Sequence, residues 1–250
     1  MTWRVLSILL AGLFALALSI PARAQAGPPL ITNDAGTPGP GNWEINLAVT
    51  GERAGDAHAY SVPDADINYG LGDAIQLSVH VAWEHLQSHG APFSSDIGAI
   101  EYAVRWRFLD QARAGIDMAI QPQIVMPGSD QAIRKGLSQP NREFVLPLQL
   151  VHQWSAATLG VELAQHWTEH EAKAVQAGIF VARDCTRAWE CLAEINTTHA
   201  NNGDTETFAG LGARRRLSEH LKLMGAIERQ VNGPASDRAT AFYLGIQLTP

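Results

Sequence analysis

The sequence predicts an all-β fold, an antiparallel up-and-down transmembrane β-barrel of about 12 strands. Three observations lead to this prediction. Apolar and polar residues alternate in run after run, glycine-rich or polar turns separate the runs, and tight turns alternate with longer polar connections. Successive side chains of a strand point to opposite faces, so the alternation gives each strand one apolar and one polar face. Short turns on one rim and longer loops on the other are typical of outer-membrane barrels.

Residues 65–84 show the pattern most clearly and predict a hairpin. From Ile75 to Trp83 every second residue is apolar, and the residues between them, from Gln76 to Glu84, are mostly polar. The preceding run meets this one at residues 70–73, Gly-Leu-Gly-Asp, and glycine and aspartate supply the backbone angles that a tight turn needs.

The same alternation predicts ten further strands. We expect them around residues 43–50, 100–108, 116–124, 144–154, 159–167, 175–182, 191–196, 208–217, 221–228 and 242–248. Pro122 falls within the fifth strand, where it removes a hydrogen-bond donor from the ladder. The connections after strands two, four, six, eight and ten are expected to be tight. Those after strands one, three, five, nine and eleven are expected to be longer, and the one after strand seven, near residues 169–172, is expected to be short.

Aromatic residues cluster near both ends of the predicted strands, as at a membrane interface. The short-turn ends carry Trp43, Tyr69, Trp106, Phe108 and Trp154, and the other ends carry Trp83 and Trp167. The alternative is a soluble periplasmic sandwich or barrel that binds a ligand and has these tryptophans in its core, because periodicity does not tell which face meets water. Loop lengths and aromatic placement favour the membrane barrel.

The chain divides into three parts. Residues 1–26 carry Arg4, an apolar run and small residues at a cleavage position, which predicts a secretory signal peptide and an outer-membrane location. Residues 27–42 are rich in proline and glycine. They either cross or line the lumen as a plug, or are loose. Residues 43–250 form the predicted barrel.

Charge and cysteine content restrict the function. Without residues 1–26, Lys+Arg falls from 18 to 16 against 25 Asp+Glu, a formal charge of −9 with His neutral, which argues against a nucleic-acid partner. Cys185 and Cys191 are spaced for a disulfide across a hairpin mouth, on the outward parity expected of opposed partners. Two free thiols are the alternative.

Residues 31–47, ITNDAGTPGPGNWEINL, carry a family resemblance. The segment Thr32-Asn33-Asp34-Ala35, followed by Gly41-x-Trp43-Glu44 opening the first strand, resembles the start of bacterial outer-membrane proteins assigned to transport in the phenol meta-degradation pathway. The turn at residues 69–73 is similar to one that recurs in this family. The resemblance implies an exported β-barrel that transports a small aromatic solute.

If the chain is a membrane barrel, its polar faces line the lumen. The candidate lumen-lining residues are Asp66, His80, Glu84, Glu101, Arg105, Arg107, Asp117, Glu162, Glu194, Lys222 and Glu228. Glu194, Arg214, Lys222 and Glu228 lie on neighbouring strands and could pair. A polar lining can select a small solute. It can also form an interior that only stabilises the barrel. The expected partners are outer-membrane lipid, a small-molecule solute and the outer-membrane assembly machinery.

Catalysis and cofactors have weaker support in the sequence. An outer-membrane lipid hydrolase would use a Ser/His pair, and the candidates are Ser78 with His80 and Ser155 with His152. His166 and His170 have a spacing that suits a helix face rather than a strand end, so we expect no metal site there. No phosphate-binding glycine loop or zinc cysteine cluster is present. The sequence therefore predicts a channel or transporter without cofactor, not an enzyme.

Overall fold

The computed structural model describes residues 27–250 except 88, 89, 91 and 235–237, so the predicted signal peptide lies outside the described residues. The strands are β1 (Trp43–Ala54), β2 (Ala57–Leu71), β3 (Ile75–Gln87), β4 (Ser94–Leu109), β5 (Asp117–Ile120), β6 (Gln123–Met126), β7 (Glu143–Gln153), β8 (Thr158–Thr168), β9 (Ala174–Asp184), β10 (Trp189–Ala200), β11 (Thr205–Arg216), β12 (Leu221–Gln230) and β13 (Thr240–Leu248). Two short helices, α1 (Gln111–Ala114) and α2 (Asp130–Arg134), follow β4 and β6. No helix among the described residues is long and apolar enough to cross a membrane.

The strands form one antiparallel sheet that closes on itself. The first and last strands, β1 and β13, pair from Ile45 opposite Leu248 to Arg53 opposite Thr240. Closure leaves no row of unpaired backbone groups, which is the condition for a strand-built structure in hydrocarbon. The predicted fold class, an antiparallel barrel of 12 strands, is confirmed.

Two short strands share one position in the barrel wall. Both β5 and β6 pair with β4 on one side and β7 on the other. They are separated at Gln121 and Pro122, where proline cannot donate to the ladder. The Pro122 carbonyl still accepts from the Val104 N–H at 3.1 Å, and the Gln121 N–H donates to the Pro147 carbonyl at 3.0 Å, so the wall stays closed across the break.

The prediction of a long connection after the first strand is wrong. Strands β1 and β2 extend much further than predicted and are joined by residues 55–56 alone. Ala48 on β1 lies opposite Asp64 on β2, and Thr50 lies opposite Ser61, so the register of the two strands shifts between these pairs. A bulge changes which alternate residues face outward, so the strict alternation in the sequence stops at that point although the strand continues.

The barrel has two unlike rims. The short-turn rim carries residues 72–74, 154–157, 185–188 and 217–220, together with α1 in residues 110–116. The loop rim, at the other end, carries residues 55–56, 127–142, 169–173 and 201–204 among its connections. The barrel begins at Trp43 and ends at Leu248, and both residues lie at the short-turn rim.

The wall is apolar outside and polar inside. Outward side chains that are exposed include Leu47, Val49, Leu77, Val79, Tyr102, Val104, Leu146, Leu148, Val161, Leu163, Ile179, Val181, Ile195, Leu211, Ile227 and Leu244. Buried polar side chains, by contrast, face the lumen and include Asn46, Asn68, Gln76, Gln149, Asn196 and Gln247. Exposure of such a large apolar surface to water is unfavourable, whereas contact with lipid acyl chains is favourable.

Aromatic pairs lie toward the ends of the apolar band. Trp43 contacts Tyr69 with ring centroids 4.8 Å apart at the short-turn rim. Phe144 contacts Trp167 at 5.5 Å toward the loop rim. Rings with an apolar body and a polar edge suit the boundary between hydrocarbon and water.

A disulfide joins Cys185 and Cys191 at the turn between β9 and β10, with an S–S distance of 2.05 Å. The prediction that the two cysteines are directly opposed is wrong in register, because Cys191 lies opposite Arg183. Cys185 is the first residue beyond β9, so the bridge runs diagonally across the turn.

Candidate functional site in the barrel lumen

The N-terminal segment, residues 27–42, lies inside the barrel rather than beside it. Thr32 and Ala35 are 0% exposed and Asp34 is 1% exposed. The segment returns to the wall at the short-turn rim, where the Thr37 hydroxyl donates to the Asp73 carbonyl at 2.9 Å. It therefore occupies the half of the lumen that opens at this rim.

The exit of the segment requires glycine at one wall position. The Gly41 N–H donates to the Gly70 carbonyl at 2.8 Å, and the Gly70 N–H donates to the Asn42 carbonyl at 3.0 Å. A Cβ atom on Gly70 would lie 1.8 Å from the Gly39 carbonyl oxygen. Any larger residue at position 70 would push the segment away from the wall.

Glu194 on β10 holds the middle of the segment. Its carboxylate accepts the Ile31 N–H at 2.8 Å and the Thr32 N–H at 2.9 Å. On the neighbouring strand β9, a Cβ atom on Gly178 would lie 2.2 Å from the Thr32 hydroxyl oxygen. The carboxylate thus satisfies two backbone donors, of which the Thr32 N–H is buried, and the glycine leaves space for the segment to approach.

Two arginines hold the backbone carbonyls of the same segment. The Arg214 guanidinium donates to the Gly27 carbonyl at 3.2 Å and to the Pro28 carbonyl at 3.0 Å. The Arg105 guanidinium donates to the Gly36 carbonyl at 2.7 Å and to the Asp34 carboxylate at 3.3 Å. Both arginines are buried, with 4% exposure for Arg214 and 6% for Arg105. Charge-assisted hydrogen bonds of this kind are the strong ones in protein interiors.

Glu162 on β8 completes this set of anchors. Its carboxylate interacts with the backbone and the side chain of Asn33. Gln149 on β7 donates to the same carboxylate at 2.9 Å. The wall therefore contacts the segment from several sides with groups of both charges.

A small apolar cluster inside the lumen packs against the segment. Its buried members are Leu30, Ala35, Ala119, Val151, Phe180, Ala182 and Leu192. A Cβ atom on Gly160 would lie 2.0 Å from the Phe180 ring, so glycine there makes room for the largest of these side chains. Burial of Leu30 and Ala35 adds a hydrophobic contribution to the polar anchors.

Beside the segment the lumen retains an acidic cavity of about 220 Å³. It is lined by Gly27, Pro28, Leu30, Asn33, Glu44, Thr50, Asp64, Asp66, Asn68, Gln76, Ser78, His80, Glu101, Arg105, Gln121, Gln123 and Tyr243. Four of these are carboxylates, whereas Arg105 is the single arginine among them and is held by Asp34 and Gly36. The lining of the open part of the lumen therefore carries a net negative formal charge, with His80 counted as neutral.

A second cavity, of about 310 Å³, lies between the wall and the loop of residues 127–142. Its lining includes Leu137, Ser138 and Gln139 from the loop, and it shares His80 and Glu101 with the acidic cavity. Lys135 ties the loop to the wall by donating to the Ser95 carbonyl at 2.8 Å and to the Asp96 carboxylate at 3.0 Å. His80 and Glu101 thus mark the junction between the loop-rim cavity and the interior.

Solved structures share this architecture. An outer-membrane channel from Pseudomonas putida F1 aligns with a TM-score of 0.70 at 12% identity, covering 91% of this chain and 100% of that chain. The chain has the fold of outer-membrane β-barrels.

Two porins have the same fold at lower similarity. The NanC porin aligns with a TM-score of 0.58 at 8% identity, covering 82% of this chain and 98% of that one. The KdgM porin, solved in complex with disordered oligogalacturonate, aligns with a TM-score of 0.55 at 9% identity, covering 81% and 98%. No family model matches the chain, and no curated protein matches its sequence. The resemblance to the phenol meta-pathway family stays a prediction.

Nine of the eleven predicted lumen residues fall into three overlapping groups in this outer-membrane fold. Arg105, Glu162 and Glu194 contact the N-terminal segment. Those that line the two cavities are Asp66, His80, Glu84, Glu101 and Arg105. Arg107 and Asp117 lie together at the short-turn rim, 3.9 Å apart, where Arg107 also donates to the Asp73 carbonyl.

The two remaining predicted residues lie on β12. Lys222 donates to Gln247 on β13 at 2.6 Å. Glu228 lies beside Glu194 across Gly210, where a Cβ atom would be 2.9 Å from Glu228 and 3.2 Å from Glu194. The lumen wall thus places these two carboxylates next to each other.

Sequence reasoning missed two residues that hold the N-terminal segment. The sequence indicates only a salt-bridge role for Arg214, yet its guanidinium binds the segment carbonyls and pairs with Glu190 at 3.1 Å. Three arginines in a row hide which of them points inward. Gly210 and Gly212 precede Arg214 at alternate positions of β11 and therefore share its face of the strand. The sequence marks Asp34 only as part of a motif, because the segment has no periodicity from which to predict where its side chains point.

The candidate Ser/His pairs are not assembled for catalysis in the described structure. The Ser78 hydroxyl donates to the Asn68 side chain at 2.6 Å, while His80 contacts Asp64 at 2.8 Å. His152 bonds the Gly115 carbonyl at 2.7 Å. Among the described residues, no group of three or more His, Cys, Asp or Glu side chains is placed to hold a metal ion.

Proposed function

We propose that this chain is an outer-membrane channel whose N-terminal segment closes the half of the lumen next to the short-turn rim. The observation that carries the proposal is the inverted distribution of polarity. The outer wall is apolar, and buried charged side chains hold a segment inside a polar lumen. A soluble periplasmic barrel would expose its polar face to water instead. The short-turn rim and both ends of the barrel then face the periplasm.

The solute is proposed to be small and either neutral and polar or cationic. Support comes from the carboxylates of Glu44, Asp64, Asp66 and Glu101 along the acidic cavity and from its amide side chains. An aromatic solute is implied only by the family resemblance. Outer-membrane lipid and the assembly machinery are the expected partners of such a barrel.

Planar-bilayer recording tests the proposal. We expect the mature chain to produce discrete current steps with a reversal potential that shows cation preference, because carboxylates line the open part of the lumen. A variant with a released N-terminal segment is recorded in parallel, since a segment that stays in place keeps the current small. Absence of current steps from both proteins, after flotation has shown that each is inserted in the bilayer, would contradict the proposed channel.

A further inference from the structure

A row of polar and cationic side chains crosses the outer wall near the loop rim. His58 on β2 lies opposite Arg53 on β1, Arg53 lies opposite Thr240 on β13, and Thr240 lies opposite Arg229 on β12. The four residues therefore stand at one level on adjacent strands. Opposed residues in a sheet share a face, and Arg53 and Arg229 are both exposed.

The next level of the same wall, toward the middle of the barrel, is apolar. Tyr60 lies opposite Gly51, Gly51 lies opposite Phe242, and Phe242 lies opposite Ile227. Tyr60, Phe242 and Ile227 are exposed at 38%, 41% and 59%. The cationic row thus stands where the apolar band of the wall ends.

Between the two levels the wall has a recess of about 520 Å³, lined by residues of both rows and by Arg238 from the connection after β12. Gly51 lets the two aromatic rings of the recess lie close over β1, because a Cβ atom there would lie 2.4 Å from the Phe242 ring and 2.8 Å from the Tyr60 ring. Glu52 also lines the recess, but it is next to Arg53 on β1 and so has the opposite parity.

The positive charge of the recess is not neutralised by the described residues. Within the described part of the chain, the ion pairs include none with Arg53, Arg229 or Arg238. Arg229 donates to the Thr240 hydroxyl, and Arg238 donates to the Gly233 carbonyl at 3.1 Å. Three guanidinium groups with one carboxylate among the lining residues leave a net positive site.

We propose that this recess binds the phosphate group of a membrane lipid, with the acyl chains lying along Tyr60 and Phe242. Guanidinium groups bind phosphate oxygens through paired, charge-assisted hydrogen bonds. A phosphate at the edge of the hydrocarbon layer is the anion that a membrane presents at this level, and basic pockets at that level bind lipid head groups. The apolar row directly beneath the arginines is continuous with the surface that meets acyl chains. The inference rests on the proposed membrane-spanning barrel.

Binding of phosphatidic acid to the detergent-solubilised mature protein, measured by native mass spectrometry, tests the proposal. The comparison ligands are diacylglycerol with the same acyl chains and inorganic phosphate. We expect the protein to retain phosphatidic acid and neither comparison ligand. Arg53→Gln with Arg229→Gln is expected to weaken that binding roughly tenfold or more, because each arginine contributes a hydrogen bond to a charged group.

The matched control is Arg183→Gln with Arg215→Gln, which removes two outward charges at the opposite rim. This control should bind phosphatidic acid as the unsubstituted protein does. Equal binding by the Arg53/Arg229 variant, an equal loss in the control, or equal binding of inorganic phosphate would each overturn the lipid site. Heat-dependent gel migration of every variant reports barrel folding separately. A folded, membrane-inserted barrel that retains no lipid therefore contradicts this inference alone.

Discussion

Release of the N-terminal segment is expected to increase single-channel conductance several-fold. Thr32→Pro removes the N–H that Glu194 accepts at 2.9 Å and leaves every charge of the wall in place. A hydrogen bond to a charged group contributes about 1.5–3 kcal/mol, so the equilibrium between held and released segment shifts roughly tenfold or more. Planar-bilayer recording measures the resulting current at fixed salt and voltage.

A wall substitution tests the same contact from the other side. Gly178→Val places side-chain atoms where the Thr32 hydroxyl now lies, because even a Cβ atom would be 2.2 Å from that oxygen. The control is Gly225→Val, since the nearest atom to a Cβ there is 3.6 Å away. We expect the first variant to conduct like Thr32→Pro and the control to conduct like the unsubstituted chain. Unchanged conductance in both release variants would show that the segment does not close the lumen.

Cation preference is expected to fall when Glu101 is replaced by glutamine. Glu101 lines both the acidic cavity and the loop-rim cavity, and it has no hydrogen-bond or ion-pair partner among the described residues. The interaction energy between a unit charge and an ion 4 Å away is about 1 kcal/mol in bulk water and about 4 kcal/mol at an effective dielectric constant of 20. Glu101→Gln should therefore lower the ratio of cation to anion permeability roughly fivefold or more.

The reversal potential in a salt gradient measures this ratio. Glu219→Gln is the matched control, because it removes the same charge from an exposed turn at the short-turn rim. The control should leave the reversal potential unchanged. Glu101→Lys should shift the reversal potential in the same direction as Glu101→Gln does, and by a larger amount. If Glu101→Gln and the control behave alike, the acidic cavity is not on the ion path.

The barrel could be predicted because its wall obeys a simple rule along the chain. Lipid on one side and a polar lumen on the other force alternation in runs such as Ile75 to Trp83, and the same residues form β3. The rule fails locally where the backbone is irregular. The bulge near Val62 concealed the first half of β2, and Pro122 divided one barrel strand into β5 and β6.

The position of the N-terminal segment could not be predicted in the same way. Its contacts come from residues far apart in sequence, such as Thr32 with Glu194, and it has neither helical nor strand periodicity. The parity of the wall placed Glu194 and Arg105 on the lumen side, but parity carries no information on what they bind. Close approaches at Gly70 and Gly178 decide the path of the segment, and in the sequence these residues look like any other glycine.

Cell fractionation combined with heat-modifiability on detergent gels tests the central claim most directly. The account predicts that the mature chain is found in the outer-membrane fraction. It also predicts that the unheated protein migrates differently from the heated protein, because a closed barrel resists detergent until it is unfolded. A chain recovered in the soluble periplasmic fraction, with the same migration before and after heating, would contradict the membrane barrel and the channel proposed for its lumen.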